Sequence, residues 1–434
     1  MNKIKRLPVW GVYGLLAYMP FHIFLSQSLS LLTGGLDVWK VAKDFVTIFL
    51  LVFAIVFALY NQKLRDNKIF RITLILAIVY GLLHFLTYIF SKQTSLSVAM
   101  LASTYNNRLF WYFLIAFVGV RLVKDKNIDV RVIKLILAVS TLVCLLGLLQ
   151  WFLPKDILTH LGYNIERGVK PNFFINDDIN YPRIMSTIRD PNSLGAFLIL
   201  PTLLLASLYG KVKKEKKQLI RGLLLLHALI LLLTFSRAAW LGIIISGLTL
   251  LIISNKKKAS FLLKQYWMIL VGLIILFGVG LYSQRQSYFV RSVVFRIDDK
   301  NKATDPDSDQ LHVYFIEKGV NGVMQKPMGY GPGTAGIVSI QNENGGTLTE
   351  NYYIQIAHEV GVFGLLIFVM AWVYVIKLLV QAKSVLGTVL VASACAYAVM
   401  AIVMHLWSNE AVAAQWWLLA GVVVGLKERV SKKE

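Results

Sequence analysis

LLLLHALILLLTFSRAAWLGIIISGLTLLII, Leu223–Ile253, carries a single charge, Arg237, near its centre. The apolar stretch around it covers residues 219–254. As one helix it would be about 54 Å long, against a hydrocarbon core of roughly 30 Å. Basic clusters flank it on both sides, KVKKEKKQLIR at 211–221 and NKKKASFLLK at 255–264, and such clusters stay on the cytoplasmic face. Between two cytoplasmic ends the chain has to cross twice. The sequence therefore predicts a helical hairpin that turns outside at Thr234-Phe235-Ser236-Arg237. Arg237 then stands near the outer surface, away from the bilayer centre where a charge costs roughly 2.5–3.5 kcal/mol. Two readings of this arginine follow: a snorkel to lipid phosphates, or a rigidly held grip on an anion.

The rest of the chain has the same character. Of its 434 residues 57% are hydrophobic and 16% charged, and the apolar residues fall in runs long enough to span a bilayer as helices. The expected fold is an all-α integral membrane protein of about twelve transmembrane helices, near 9–32, 41–60, 70–90, 109–123, 132–153, 191–210, 219–235, 238–254, 266–283, 353–380, 386–406 and 411–426. MNKIKRLPVW leads into the first run without a cleavage site, which reads as a retained span. With both termini in the cytoplasm, the inner segments and the span ends beside them hold 28 of the 45 Lys and Arg and 6 of the 23 acidic residues. The whole net charge of +22 then lies on one face. That is the signature of orientation in a membrane, so the basic character gives no reason to invoke nucleic acid. Cys144 and Cys395 both lie inside apolar runs and form no disulfide or metal-ligand pattern.

Two long loops, 154–190 and 284–352, are expected outside, and function is expected in them. They divide the chain into N-terminal helices 1–153, the first loop, helices 191–283 with the Arg237 hairpin, the second loop, and C-terminal helices 353–434. The first loop ends in Arg183, Arg189 and Asp190-Pro191-Asn192, where Pro191 suits the first position of a helix and Asp190 its cap. Arg189 should reach the same face as Arg237. Two guanidinium forks and a helix N-terminus suit an anion such as a diphosphate. In the second loop Leu311, Phe315 and Ile316 share one face of an expected surface helix. Gly331 and Gly333 of GYGPGTAG could let backbone amides approach an anion, although the Lys-Ser/Thr of a nucleotide P-loop is missing. Glu350 and Asn351 stand just before the next span, where Gly361 and Gly364 permit close helix packing.

TFSRAAWLG, a Pro-x-Gly-x-Gly loop from Pro327, and Asn351 followed by nine residues and then Gly-x-x-Gly come in an order and on a membrane face that resemble the O-antigen ligase and Wzy-type polysaccharide polymerase superfamily. The likeness is clearest from the hairpin to the span after the second loop; the N-terminal third is similar in topology only. The resemblance implies a GT-C-like membrane glycosyltransferase of the cytoplasmic membrane with its active site outside. It implies an undecaprenyl-diphosphate-linked glycan as donor, a glycan or glycolipid hydroxyl as acceptor, and neither metal, nucleotide sugar nor other cofactor. Arg237 matches the family's diphosphate-binding hairpin arginine. Glu350 stands where ligases carry histidine, and His312, fifteen residues before Pro327, stands where many members carry arginine. Glu350 is then the expected base, with His312 as its rival or as a diphosphate contact, and Arg189 or Arg183 is expected to supply the missing cation. Asn351, Gly331 and Gly333 complete the expected substrate contacts.

Other polar residues have plainer explanations. His227 reads as bonded to a neighbouring helix, Asp44 as a local ion pair with Lys40 or Lys43, and Trp416 and Trp417 as packing residues. His358 lies on a different helical face from Glu350. The rival class, a transporter or flippase of lipid-linked oligosaccharide, would be expected to show repeated halves and broken helices with polar residues at mid-membrane. No such repeat is visible, and the polar candidates gather at one face.

Overall fold

The computed structural model describes residues 4–430 apart from 126, 177, 255–278, 281, 288–289 and 292–307. The expected span 266–283, the cluster 255–264 and the mixed-charge start of the second loop thus lie almost wholly outside the described residues.

The protein is an all-helical membrane bundle, and nine segments among the described residues are long and apolar enough to cross a bilayer. The first is interrupted. Pro20 sits in a single 3₁₀ turn, Met19–Phe21, that joins α1 (Leu7–Tyr18) to α2 (His22–Thr33), because a proline removes a helix donor and crowds the preceding turn. Then come α3 (Leu36–Tyr60), α4 (Lys68–Ser91), α5 (Leu96–Leu122) and α6 (Ile128–Phe152). After the first loop follow α7 (Pro191–Tyr209), α8 (Lys214–Leu233) and α9 (Arg237–Ser254). The second loop contributes α10 (Ser308–Gln325), and α11 (Tyr352–Ala382), α12 (Val385–Val403) and α13 (Glu410–Val430) close the bundle.

The expected spans 109–123 and 219–235 fall on α5 and α8, which are not among those nine: α8 opens on a run of charged residues, and the first half of α5 is rich in Ser, Thr and Asn. For α5 the sequence-based boundary needs correction. The helix starts at Leu96, capped by the Ser95 hydroxyl, and carries Arg108 into the bundle with only 1% of its surface exposed. An arginine in an apolar bundle reads as a span end unless its counter-charge is visible, and here that partner, Glu410, lies on α13.

The hairpin forms as its length dictates: α8 ends at Leu233, three residues, Thr234, Phe235 and Ser236, make the turn, and α9 starts at Arg237. Phe235 takes a left-handed backbone, φ 48°, and Trp240 Nε1 donates to Leu231 O at 3.1 Å, lashing the two helices together. His227 meets Ser140 Oγ on α6 at 3.0 Å. Trp407, Trp416 and Trp417 are fully buried and pack edge-on, with ring centroids 5.1–6.0 Å apart, the geometry aromatic quadrupoles favour.

Neither loop is formless. The first contains a two-stranded antiparallel ribbon, β1 (Phe173–Ile175) and β2 (Asp178–Arg183), a small departure from the all-helical expectation. Past β2, Ile184 N donates to Leu233 O at 3.1 Å, fastening the loop to the hairpin turn. The second loop presses α10 against α11 and then enters α11 itself. Gly361 breaks that helix at φ 79°, ψ 174°, and Val362 N donates instead to Pro327 O at 2.9 Å. A Cβ at Gly361 would meet Met328 C and Pro327 O at 2.7 Å, and one at Gly329 would meet Gly361 N at 2.6 Å. Gly361 thus serves insertion of the loop backbone, not the helix–helix contact expected of it.

Candidate functional site

The hairpin turn gathers two of the expected arginines. Arg237 is the exposed first residue of α9, where its charge adds to the positive end of the helix dipole. Arg183 comes to the same turn from β2: its Nε donates to Thr234 O at 3.0 Å and its Nη2 to Asn192 Oδ1 at 2.8 Å. Asp190 caps α7 by accepting from Ser193 N at 2.9 Å and Ser193 Oγ at 2.7 Å, with Pro191 at the first helical position.

Arg189, one residue before that cap, faces a different space. It lines a cavity of about 1010 Å³ between α2, α3, α5 and the loop segment 165–170. Phe45, Ile48, Met100, Leu101 and Ile340 form apolar wall, and the polar part sets five cations, Lys40, Lys43, Arg167, Lys170 and Arg189, against four carboxylates. At its floor Lys43, Asp44, Arg108 and Glu410 form a buried ion cluster, with Lys43–Asp44 at 3.0 Å, Lys43–Glu410 at 3.8 Å and Arg108–Glu410 at 3.5 Å. The local Lys43–Asp44 pair is therefore one edge of a network joining α3, α5 and α13. The Arg108 guanidinium also stacks on Tyr105, 4.1 Å from the ring centroid.

His312 Nδ1 and Glu350 Oε2 meet in a direct polar contact, although 38 residues separate them in sequence. α10 and α11 run side by side in the same direction, so residues near their starts face one another. Glu350 holds a left-handed backbone, φ 46°, which a glutamate rarely adopts and which turns the chain into α11. Asn351 caps that helix, its Oδ1 accepting from Ile354 N at 3.0 Å, so half of its carboxamide is already engaged.

The glycine loop does not form the anion cradle expected of it. Gly331 N donates to Glu359 O at 2.9 Å and Gly333 N to the Glu359 carboxylate at 3.0 Å. Both amides are consumed by α11 and its buried glutamate, which also accepts from Asn106 Nδ2 at 2.8 Å. The loop is a clasp on the broken helix.

His405 was not picked out by the sequence. It lies in the α12–α13 connection, its Nδ1 2.8 Å from Gln355 Oε1. Burial pushes its pKa down to about 4, while Glu350, Arg189 and His312 all lie within electrostatic reach. The same connection is anchored by Arg108 Nη2, which donates to Ser408 O at 2.5 Å. A histidine at a span end carries no distinguishing pattern; only the fold shows that it backs the His312–Glu350 pair.

No curated protein matches the chain. Residues 222–369 match the family model described as O-antigen ligase, a segment that holds Arg237, His312, the glycine loop, Glu350, Asn351 and the break at Gly361. Hairpin turn, loop helix, His312–Glu350 contact and clasped helix thus all fall within the one continuous segment that is similar to the O-antigen ligase family.

Proposed function

We propose that this protein transfers a glycan from a polyprenyl-diphosphate carrier to an acceptor hydroxyl at the outer face of the cytoplasmic membrane, as a polysaccharide polymerase or ligase. Twelve spans with both termini in the cytoplasm fit the reading, since that topology assigns the whole charge excess to one face. The observation that carries the proposal is the family match over 222–369, the segment in which Arg237 and the His312–Glu350 pair stand. The amphipathic cavity supports it further: apolar wall suits a prenyl chain, and Arg189 with its neighbouring cations suits a diphosphate.

In the reaction the acceptor oxygen attacks the anomeric carbon, the bond from that carbon to the phosphate oxygen breaks, and the diphosphate leaves with the electron pair. Arg237, with Arg183 held to the same turn, stabilises the charge developing on the leaving group, while Arg189 contributes from the side of the large cavity. Glu350 takes the hydroxyl proton, and His312, paired with it, orients the carboxylate and shares that proton. Asn351 holds the turn that presents Glu350.

The test is transfer by purified full-length protein in membranes supplied with purified lipid-linked donor and acceptor. Arg237→Ala is expected to lower turnover about 10²-fold or more, the scale of a lost oxyanion contact, at unchanged protein level. Arg237→Lys recovers only part, because a point charge cannot reproduce a bidentate fork. Wild-type behaviour of the Lys variant would return Arg237 to the role of lipid snorkel.

A further inference from the structure

Along α10 lies a second space of about 570 Å³, with a different chemistry. Gln93, Asn321 and Gln325 contribute amides, Tyr314 a ring that is 55% exposed, and Glu317 and Lys318 one charge of each sign. Its size is that of a small-molecule site. Its balanced, amide-rich wall offers nothing particular to a diphosphate and a great deal to hydroxyl groups, which both donate and accept.

The floor is built with more care than a surface groove requires. His358 is 7% exposed, and its ring stacks on Tyr330 with centroids 4.5 Å apart and planes 16° from parallel. Its proton position follows from its neighbours. Thr334 Oγ1 donates its one hydrogen to Gly331 O at 2.7 Å, so toward His358 Nδ1, at 3.2 Å, it has only lone pairs to present. Nδ1 therefore carries the hydrogen, and Nε2 is left as a bare acceptor. That nitrogen faces the position where α10 has Gly322: a Cβ there would lie 2.9 Å from Nε2 and 2.8 Å from Cδ2. Any side chain at 322 would cover the nitrogen.

We propose that this groove is a glycan-binding subsite in which His358 Nε2 accepts a hydrogen bond from a sugar hydroxyl, Gly322 keeps that nitrogen open, and Tyr314 packs against a sugar ring face. The assignment rests on the transferase reading for its ligand class, a neutral saccharide chain held beside the reacting centre. Glu350 and His358 are eight residues apart on the chain, about 12 Å along a helix, so the groove takes sugars beyond the one that reacts.

The test uses the detergent-purified full chain and, as probe, neutral oligosaccharide released from the envelope polysaccharide of the producing cell, with binding read by saturation-transfer NMR. His358→Asn keeps a donor toward Thr334 and removes the Nε2 acceptor. It should weaken binding about fivefold, the scale of one neutral hydrogen bond. Tyr314→Ala, at an exposed position that does not endanger folding, should weaken it by a similar factor. Absence of saturable binding to the wild type overturns the assignment, as does wild-type affinity in both variants. Glycan binding that persists while the same preparation transfers nothing from prenyl-diphosphate donor overturns the transferase reading and leaves the groove standing.

Discussion

Replacing Glu410 with glutamine removes one charge from a cluster of two cations and two carboxylates and leaves the shape of the side chain unchanged. Glu410 lies 3.5 Å from Arg108 and 3.8 Å from Lys43. At an effective dielectric near 20 each contact contributes about 4 kcal/mol, and the several kcal/mol needed to desolvate the carboxylate offsets about half of that sum. The amide would leave an uncompensated positive charge beside Arg108, whose exposure is 1%. The expected destabilisation is about 3–5 kcal/mol, the range for breaking a buried pair by deleting one partner. Thermal unfolding of the detergent-purified protein, followed by tryptophan fluorescence, should show Glu410→Gln melting well below wild type. The double variant Arg108→Met/Glu410→Met removes both charges, keeps Lys43–Asp44 balanced and should recover at least half of the loss. A Glu410→Gln variant that melts with the wild type, or a double variant worse than the single, would refute the view that α3, α5 and α13 are held in register by this charge balance.

In the transfer assay Glu350→Gln retains shape and hydrogen-bonding reach but no basicity, so turnover should fall about 10²-fold or more with donor binding intact; near-normal turnover there, with loss in His312→Asn, would move the base to His312. His405 gives the fold an acid limit. Its folded pKa near 4 lies below the ordinary 6.5, so the unfolded chain binds the proton first as pH falls. Stability is unaffected by this group above about pH 6.5 and declines by about 3 kcal/mol as pH drops toward 4. Melting curves of His405→Gln across that window should be flatter than wild type, and equal slopes would assign the acid limit to other groups.

The hairpin was legible because it is a matter of length: no single helix of 219–254 fits a bilayer, and the lysines at both ends leave one solution. Asp190 and Pro191 were legible because cap and first turn are local chemistry. The partnership of His312 with Glu350 was half legible, as two residues awaiting one cavity, since a resemblance supplied the frame and α10 beside α11 the contact. Arg108 and Glu410 were not, because their meaning is each other, and 302 positions separate them. His358 stands on another helical face from Glu350, and that face lines the second groove. The glycines of 329–336 misled for a further reason: glycine reports that backbone comes close to something, and sequence does not say whether that is a phosphate or, as here, another turn of the same protein.

That clasp changes what counts as a module. Because Pro327 O takes the hydrogen bond that α11 gives up at Gly361, residues 326–334 and 355–362 are halves of one object although α10's loop and a membrane helix would ordinarily be exchanged separately. Chimeras between relatives that swap the loop at the start of α11 would pair one protein's strap with another's notch, and recombination points placed before Lys326 or after Gly364 are the ones expected to give folded protein.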